Sequence, residues 1–448
     1  MSVKISLIGA GSAVFSLSLI RDLCLTPNLQ GSTVTFMDIN EQRLDAAYTL
    51  CKRYAEEVGI TLNLEKTTDR RQALQGADFV INTALVAGHH RLREGWQIAR
   101  EHGYRIGGSL HIMHDEAFWI NFYQYSLFDS IMQDMQEICP EAYFLLVANP
   151  VLAGITALGR KYPHIKMVGL CHGFGGVYHL AQILGFDREG LTFEIPGVNH
   201  FVWLTHAYHN GRDIMPLINE WRATQSNEYW KTSQASNGMG PAAFDLYERF
   251  GAFPIGDTCT PGGGSWPHWY HTDADTEACW QEDPEGWWNG YFPYLDKNIA
   301  QIHEAAYNRE ARVTDLIPPK FSGELFITMI ESIACDIPRV LIGNIPNTGD
   351  FVPGIPRNIA VEIPTLVSKR GIQGIQTHKL PEPILAYALR DRVAPVEMEL
   401  LAYETGDKKL LRQLILMDPY TRSEQQAEAF LDAILALPYH EEMRTHYR

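Results

Sequence analysis

The first half of the chain alternates short, wholly apolar runs with longer stretches whose apolar residues recur at helical spacing. Val3 to Ile8 reads as a buried parallel strand, and Gly9-Ala10-Gly11-Ser12 turns it into an amphipathic helix running to about Cys24. Ser32 to Met37 repeats the pattern as a second strand ending in Asp38, and Glu41 to Val58 reads as the next helix. Ala77 to Thr83 and Tyr143 to Pro150 give further strands, with a long helix over Phe118 to Ile138 between them. This βαβ alternation predicts an α/β protein with a doubly wound parallel sheet.

Beyond about residue 195 the texture changes to irregular, aromatic-rich sequence containing Trp203, Trp221, Trp230, Trp266, Trp269, Trp280, Trp287 and Trp288. Helical patterns return over Asp296 to Arg312, Gly323 to Ile337 and, past Pro381 and Pro383, from Ile384 to the C-terminus. Two domains are expected: a Rossmann-like unit over 1–195, of the kind found in lactate and malate dehydrogenases, and a C-terminal α+β unit over 196–448 that caps it. A tryptophan-rich segment is usually packed core, though indole rings also stack on sugars.

A formal charge of −16 argues against a nucleic-acid partner, which needs a basic surface. The N-terminus lacks a signal peptide's apolar core, and no stretch reaches the roughly 18 apolar residues of a membrane helix. A cytoplasmic protein with no membrane partner is expected. Seven cysteines, scattered and odd in number, fit reduced thiols better than a disulfide framework.

Gly9-x-Gly11 permits a tight turn and close backbone approach to a pyrophosphate, and the following helix start offers free N–H groups to it. Val14 stands where the third glycine of that fingerprint would be. Asp38, at the end of the second strand, is placed to accept hydrogen bonds from an adenosine ribose, which favours NAD over NADP. Farther along, Leu170-Cys171-His172-Gly173 and Gly197-Val198-Asn199-His200 each end an apolar run with a possible metal ligand. Thiolate and imidazole both suit Mn, Zn or Fe, yet a buried thiol and a hydrogen-bonded histidine are equally ordinary core residues. His172 has the chemistry of a general acid and Asp257 that of a base, while each also reads as a plain loop residue.

Taken together, Gly9-Ala10-Gly11-Ser12-Ala13-Val14-Phe15-Ser16, Met37-Asp38, Asn149-Pro150, Cys171-His172-Gly173, Gly197-Val198-Asn199-His200, Gly256-Asp257-Thr258 and Asn344-Ile345-Pro346-Asn347 occur in the order found in glycoside hydrolase family 4. The chain resembles that family over nearly its whole length, through Asp418-Pro419. The resemblance implies an NAD- and metal-dependent α-glycosidase, an exception to the two-carboxylate mechanism. NAD takes the C3 hydride of the sugar, the C2 proton is removed, the C1–O bond leaves by elimination, and water and hydride then return. By motif position it implies Cys171 and His200 as ligands of a divalent metal, Mn above others, with His172 as acid and Asp257 as C2 base. Gly9, Gly11, Ser12, Ala13, Val14, Phe15, Asp38 and Asn82 would bind the cofactor, and Asn149 and Asp115 the substrate.

Cys-His-Gly resembles the α-glucosidase and α-glucuronidase branch, whereas Cys-His-Ser and Cys-His-Glu mark α-galactosidases and α-galacturonidases. An α-glucoside or α-glucuronide is the expected substrate, with Arg105 or Lys320 as candidate partners for a uronate. The segments Gly103 to Asp115 and Thr260 to Ser265 depart from that branch. The resemblance further implies a homodimer or homotetramer. The competing readings are α-galactoside or α-galacturonide cleavage, an NAD-dependent hydroxy-acid or sugar dehydrogenase, and a silent NAD-binding sensor.

Overall fold

The computed structural model describes residues 1–86, 88–108, 116–232, 238–259 and 266–448. Six parallel strands open the chain: β1 (Lys4–Ile8), β2 (Thr33–Met37), β3 (Asn63–Thr67), β4 (Phe79–Asn82), β5 (Tyr143–Leu146) and β6 (Met167–Gly169). They pair in the spatial order 3-2-1-4-5-6, which is the dinucleotide-binding arrangement with its switch point between β1 and β4. Their apolar faces are sealed by the helices Ala13–Cys24, Glu41–Val58 and Phe118–Ile138, the last with both ends at their expected positions. The edge strand β3, polar and largely exposed, escapes the hydrophobic pattern because only one neighbour and little core lie against it.

The second half adds strands to the same sheet and also forms a small sheet of three strands. After β7 (Leu191–Glu194), β8 (Gly197–Val198), β9 (Phe201–Leu204), β10 (His206–His209), β11 (Arg212–Asp213) and β12 (Phe253–Ile255) come β13 (Arg339–Pro346), β14 (Ala360–Ser368) and β15 (Gly371–Gly374). β13 joins β6 antiparallel, and β14, β8, β9 and β12 follow outward, so one twelve-stranded sheet runs through both halves of the chain. The small sheet has the order β11-β10-β7. A row of register partners, Gly169, Asn344, Glu362 and Gly197, crosses four of these strands. It ties the segment leading to Cys171 to the hairpin that carries His200.

Elsewhere, the helix expected over 296–312 spans Pro284–Tyr307, because Asp283 caps its start by accepting from Gly286 N–H and proline occupies the first turn. The C-terminal helical stretch is a series of helices with one π-turn at Leu389–Val393. Trp203, Trp266 and Trp288 are buried among other aromatic rings, so these tryptophans are core. Among the described residues no helix is long and apolar enough to cross a membrane.

The β8–β9 hairpin depends on Gly197, whose added Cβ would stand 2.1 Å from the Phe201 carbonyl oxygen. Gly197→Ala is expected to force the two strands apart and to cost about 1–3 kcal/mol of stability, as overpacking does. Denaturant unfolding checks this; an unchanged midpoint would show that the hairpin relaxes freely.

Candidate active site

The C-terminal ends of the parallel strands carry the expected nucleotide residues. Gly9 leaves β1 at φ +83°, and a Cβ there would meet the Ala84 backbone at 2.5 Å, so only glycine fits. The N–H groups of Gly9 and Ala10 both donate to the Met37 carbonyl, which fixes the loop against β2. Asp38 holds the same loop from the other side, its Oδ2 accepting from Gly11 N–H at 2.9 Å and its Oδ1 from Asn40 N–H at 2.8 Å. The helix that begins at Ala13 has no side-chain cap from Ser12, which leaves its first N–H groups facing the crevice. Val14 is 51% exposed, so the missing third glycine costs no packing, while Phe15 lies half-buried against the core.

Asn82, fully buried at the end of β4, has a side-chain Nδ2 with no hydrogen-bond partner among the described residues. A buried donor left unmade is costly, and here it sits beside the switch point. Glycine turn, uncapped helix start and orphaned donor together fit a dinucleotide. Asn149, half-buried just past β5, is anchored through its carbonyl, which accepts from Gln124 Nε2 at 2.6 Å.

His200 is the centre of the second cluster. Asn199 and His200 form the two-residue loop between the paired Val198 and Phe201, and His200 takes φ +58°, a left-handed conformation that non-glycine residues adopt at a cost of order 1 kcal/mol. Its ring is clamped from both sides: Nδ1 lies 2.9 Å from Glu116 Oε1, and Nε2 lies 3.4 Å from Asp257 Oδ2. The Cys171 thiol is also hydrogen-bonded to it. Burial disfavours the imidazolium, but the Glu116 and Asp257 carboxylates outweigh that and hold the His200 pKa well above the ordinary range. Burial, aided by the charge of Glu362, pushes the Cys171 thiol up.

A third carboxylate, Glu362 on β14, is 1% exposed and held by Asn199 Nδ2 at 2.8 Å and Asn344 Nδ2 at 3.2 Å. Glu362 Oε1, Asn199 Oδ1 and Asn344 Oδ1 are buried acceptors without a hydrogen-bond partner among the described residues. Burial raises the Glu362 pKa, with the two asparagine contacts and His200 working against it. Nearby, Arg392 in the π-turn is 2% exposed, and burial lowers its pKa to about 10 although Glu116, Asp391 and Asp257 stabilise its charge. Thiol, imidazole and an excess of buried acceptors make a donor set that fits a borderline divalent metal. Glu116 on His200 Nδ1 is the carboxylate–imidazole arrangement that orients a ligating ring, with Nε2 directed toward Asp257.

The structure therefore brings Cys171, His200 and Asp257 together, while His172 points outward with its side chain 59% exposed and Nδ1 3.7 Å from Glu324 Oε1. Asp115, with the flanking 109–114 and the segment 260–265, lies outside the described residues. Arg105 is committed to Glu277 and the His271 carbonyl, and Lys320 is exposed. Glu116, Glu324, Glu362 and Arg392 escaped the sequence reading. Glu362 had a signal, being the only charged residue in the apolar run from Ile359 to Val367; Arg392, in a charged Arg-Asp-Arg stretch, had none.

Comparisons with known proteins give the family and the fold. A model of family 4 glycosyl hydrolases matches residues 4–186, and one of that family's C-terminal domain matches 195–421. An α-galactosidase of Bacillus subtilis is 26% identical, with 94% of each chain covered, and an α-glucosidase of Erwinia rhapontici is 24% identical over 97% of this chain and 98% of its own. The solved structure of a 6-phospho-α-glucosidase from gut microorganisms, in complex with NAD and Mn2+, superimposes with a TM-score of 0.81 at 17% identity, covering 99% of each chain. With one family model matching the first part of the chain and the other the second, this chain is a member of glycoside hydrolase family 4.

Proposed function

We propose that this enzyme cleaves α-glucosides or α-glucuronides by NAD-assisted elimination with a divalent metal, Mn above others. The observation that carries the reading is the convergence of Cys171, His200 and Asp257 in a sheet whose neighbouring strand ends form a dinucleotide cradle. NAD, held by the loop around Gly9, Gly11 and Asp38, would supply a reversible hydride acceptor for the sugar's C3, and a divalent metal held by Cys171 and His200 would supply the Lewis acidity that makes the C2 proton acidic. Asp257 takes that proton, His172 supplies one to the departing C1 oxygen, and Asn149 holds substrate hydroxyls. Glu324, across from His172, orients the acid.

Support for the sugar class is the Cys171-His172-Gly173 sequence. An α-galactoside or α-galacturonide is the second reading, favoured by the α-galactosidase relative. The division into a cofactor unit over 1–195 and a substrate and metal unit over 196–448 is part of the same proposal, with Cys171 reaching the metal from the first. So are a cytoplasmic setting, supported by seven free thiols, and a homodimer or homotetramer, supported by the family resemblance.

Incubating the protein with NAD, Mn2+, a reductant and aryl α-glycosides of glucose, glucuronic acid, galactose and galacturonic acid in heavy water tests the chemistry. One deuterium at C2 of the released sugar, without accumulating NADH, is expected; steady NADH formation without aglycone release would make the chain a dehydrogenase. In Asp257→Asn the C2 exchange should fall at least about 100-fold, the scale of general base catalysis. Cys171→Ser should abolish metal-dependent cleavage and leave NAD affinity, read by fluorescence titration, within about twofold, because the cofactor cradle does not include the thiol. Glu116→Gln should weaken Mn2+ affinity roughly 10–100-fold in equilibrium dialysis, since the carboxylate orients the ligand ring. Undiminished affinity would mean that His200 is held by packing alone.

A further inference from the structure

Glu194, His206 and His378 stand apart from the chemistry above. Glu194 and His206 are directly opposed across β7 and β10, on the two arms whose tip is the Asn199–His200 loop. Between this pair and the Gly197–Val202 pair, three steps on one arm match four on the other, so the descending arm bulges by one residue. His378 arrives from the segment after β15, and its backbone N–H donates to Glu194 Oε1 at 3.1 Å. The Thr205 hydroxyl donates to the same oxygen at 2.8 Å.

The three side chains each offer a ligand atom, and these atoms lie within 4.8 Å of one another. The imidazoles of His206 and His378 lie with ring centroids 4.2 Å apart and planes tilted by 33°, both near one carboxylate. His378 Nδ1 is 3.1 Å from Glu194 Oε2. His206 Nδ1 lies 3.4 Å from Oε1, is shielded from solvent, and makes no hydrogen bond among the described residues. One carboxylate already loaded with two donors thus leaves a shielded imidazole nitrogen unsatisfied. A cation at the meeting point of the three would satisfy it.

We propose that Glu194, His206 and His378 form a second divalent-metal site, for Zn2+ or a similar borderline ion, that clamps the hairpin bearing His200 to the segment after β15. Two imidazoles and a carboxylate suit Zn2+, Ni2+ or Cu2+ over the hard cations Ca2+ and Mg2+, which prefer more oxygen ligands. The open side lies at His378, whose side chain is 70% exposed, and there water completes a tetrahedral shell. Thr205 and the His378 amide supply the outer hydrogen bonds that aim the carboxylate. Strand rise puts the clamp at most about 20 Å along the hairpin from His200, so the ion braces the element without entering the reaction.

The test uses full-length Cys171→Ser, in which the thiolate centre is disabled, stripped of metal and dialysed against Zn2+. One tightly held equivalent and a raised thermal midpoint are expected. Adding His378→Ala, a change at an exposed side chain, or separately Glu194→Gln, should weaken that equivalent at least about 100-fold and remove the thermal gain. Absence of a bound equivalent in Cys171→Ser, or zinc held equally well in both double variants, would overturn the site. Neither readout involves glycoside cleavage, so failure here would leave the proposed function standing.

Discussion

Buried charge is the constraint around which this structure is organised. Glu116, Glu362 and the Asp257 carboxylate gather about one histidine with a thiol beside it, and two of those carboxylates are more than 90% buried. Several kcal/mol per unpaired buried ion is the scale of the penalty. Arg392 and the imidazolium of His200 answer part of it. Their own pKa values record the strain in opposite ways: burial drags Arg392 down to about 10, while the carboxylates overcome burial at His200 and push it up. A protein does not assemble such a set for stability, since apolar packing of the same volume would serve better. The set makes sense as a receptacle for positive charge, whether proton or metal.

The sheet is what allows that gathering. Cys171 follows the last parallel strand and His200 sits on the hairpin beyond it, and strand pairing joins the two. β13 pairs with β6 and β8 with β14, and the row Gly169–Asn344–Glu362–Gly197 fixes their relative placement. Asn344 and Glu362 thus act twice, as register partners in adjacent strands and as members of the polar cluster. A sequence change in either would be felt both in strand pairing and in the electrostatics of the site.

How much of this was legible in the sequence follows from the range of each interaction. The glycine turn, Asp38 and the first strands were readable because strand, turn and helix are local and the apolar runs are unbroken. Cys171, His200 and Asp257 could be named as candidates, but only the match of many spaced motifs raised them above ordinary core residues. Glu116 and Arg392 were illegible: their roles come from contacts with residues about 80 to 280 positions away, and nothing in their neighbours' periodicity announces them. β13 and β14 went unread although both are rich in branched apolar residues, because the prolines Pro346 and Pro364 argue locally against central strands. Pro364 is tolerated within β14, where the Ile375 N–H donates to its carbonyl.

The hairpin of 191–209 concentrates these arguments in one element. At its tip a histidine occupies a left-handed conformation that glycine would take without strain, and the price of that choice is local backbone energy. Such strain persists only where the surroundings over-determine it. Here they do so at three levels: Glu116 and Asp257 grip the ring, Glu362 grips the neighbouring Asn199, and Gly197 lets the Phe201 carbonyl approach closely enough to close the turn. Farther down, Thr205, Glu194 and the 375–378 segment pin the arms. An imidazole fixed in this way cannot follow a proton or an ion that moves; the ion must come to it. A ligand held rigid at the end of a braced hairpin is therefore suited to fixing where charge develops on a bound molecule, which is the preorganisation that electrostatic catalysis requires.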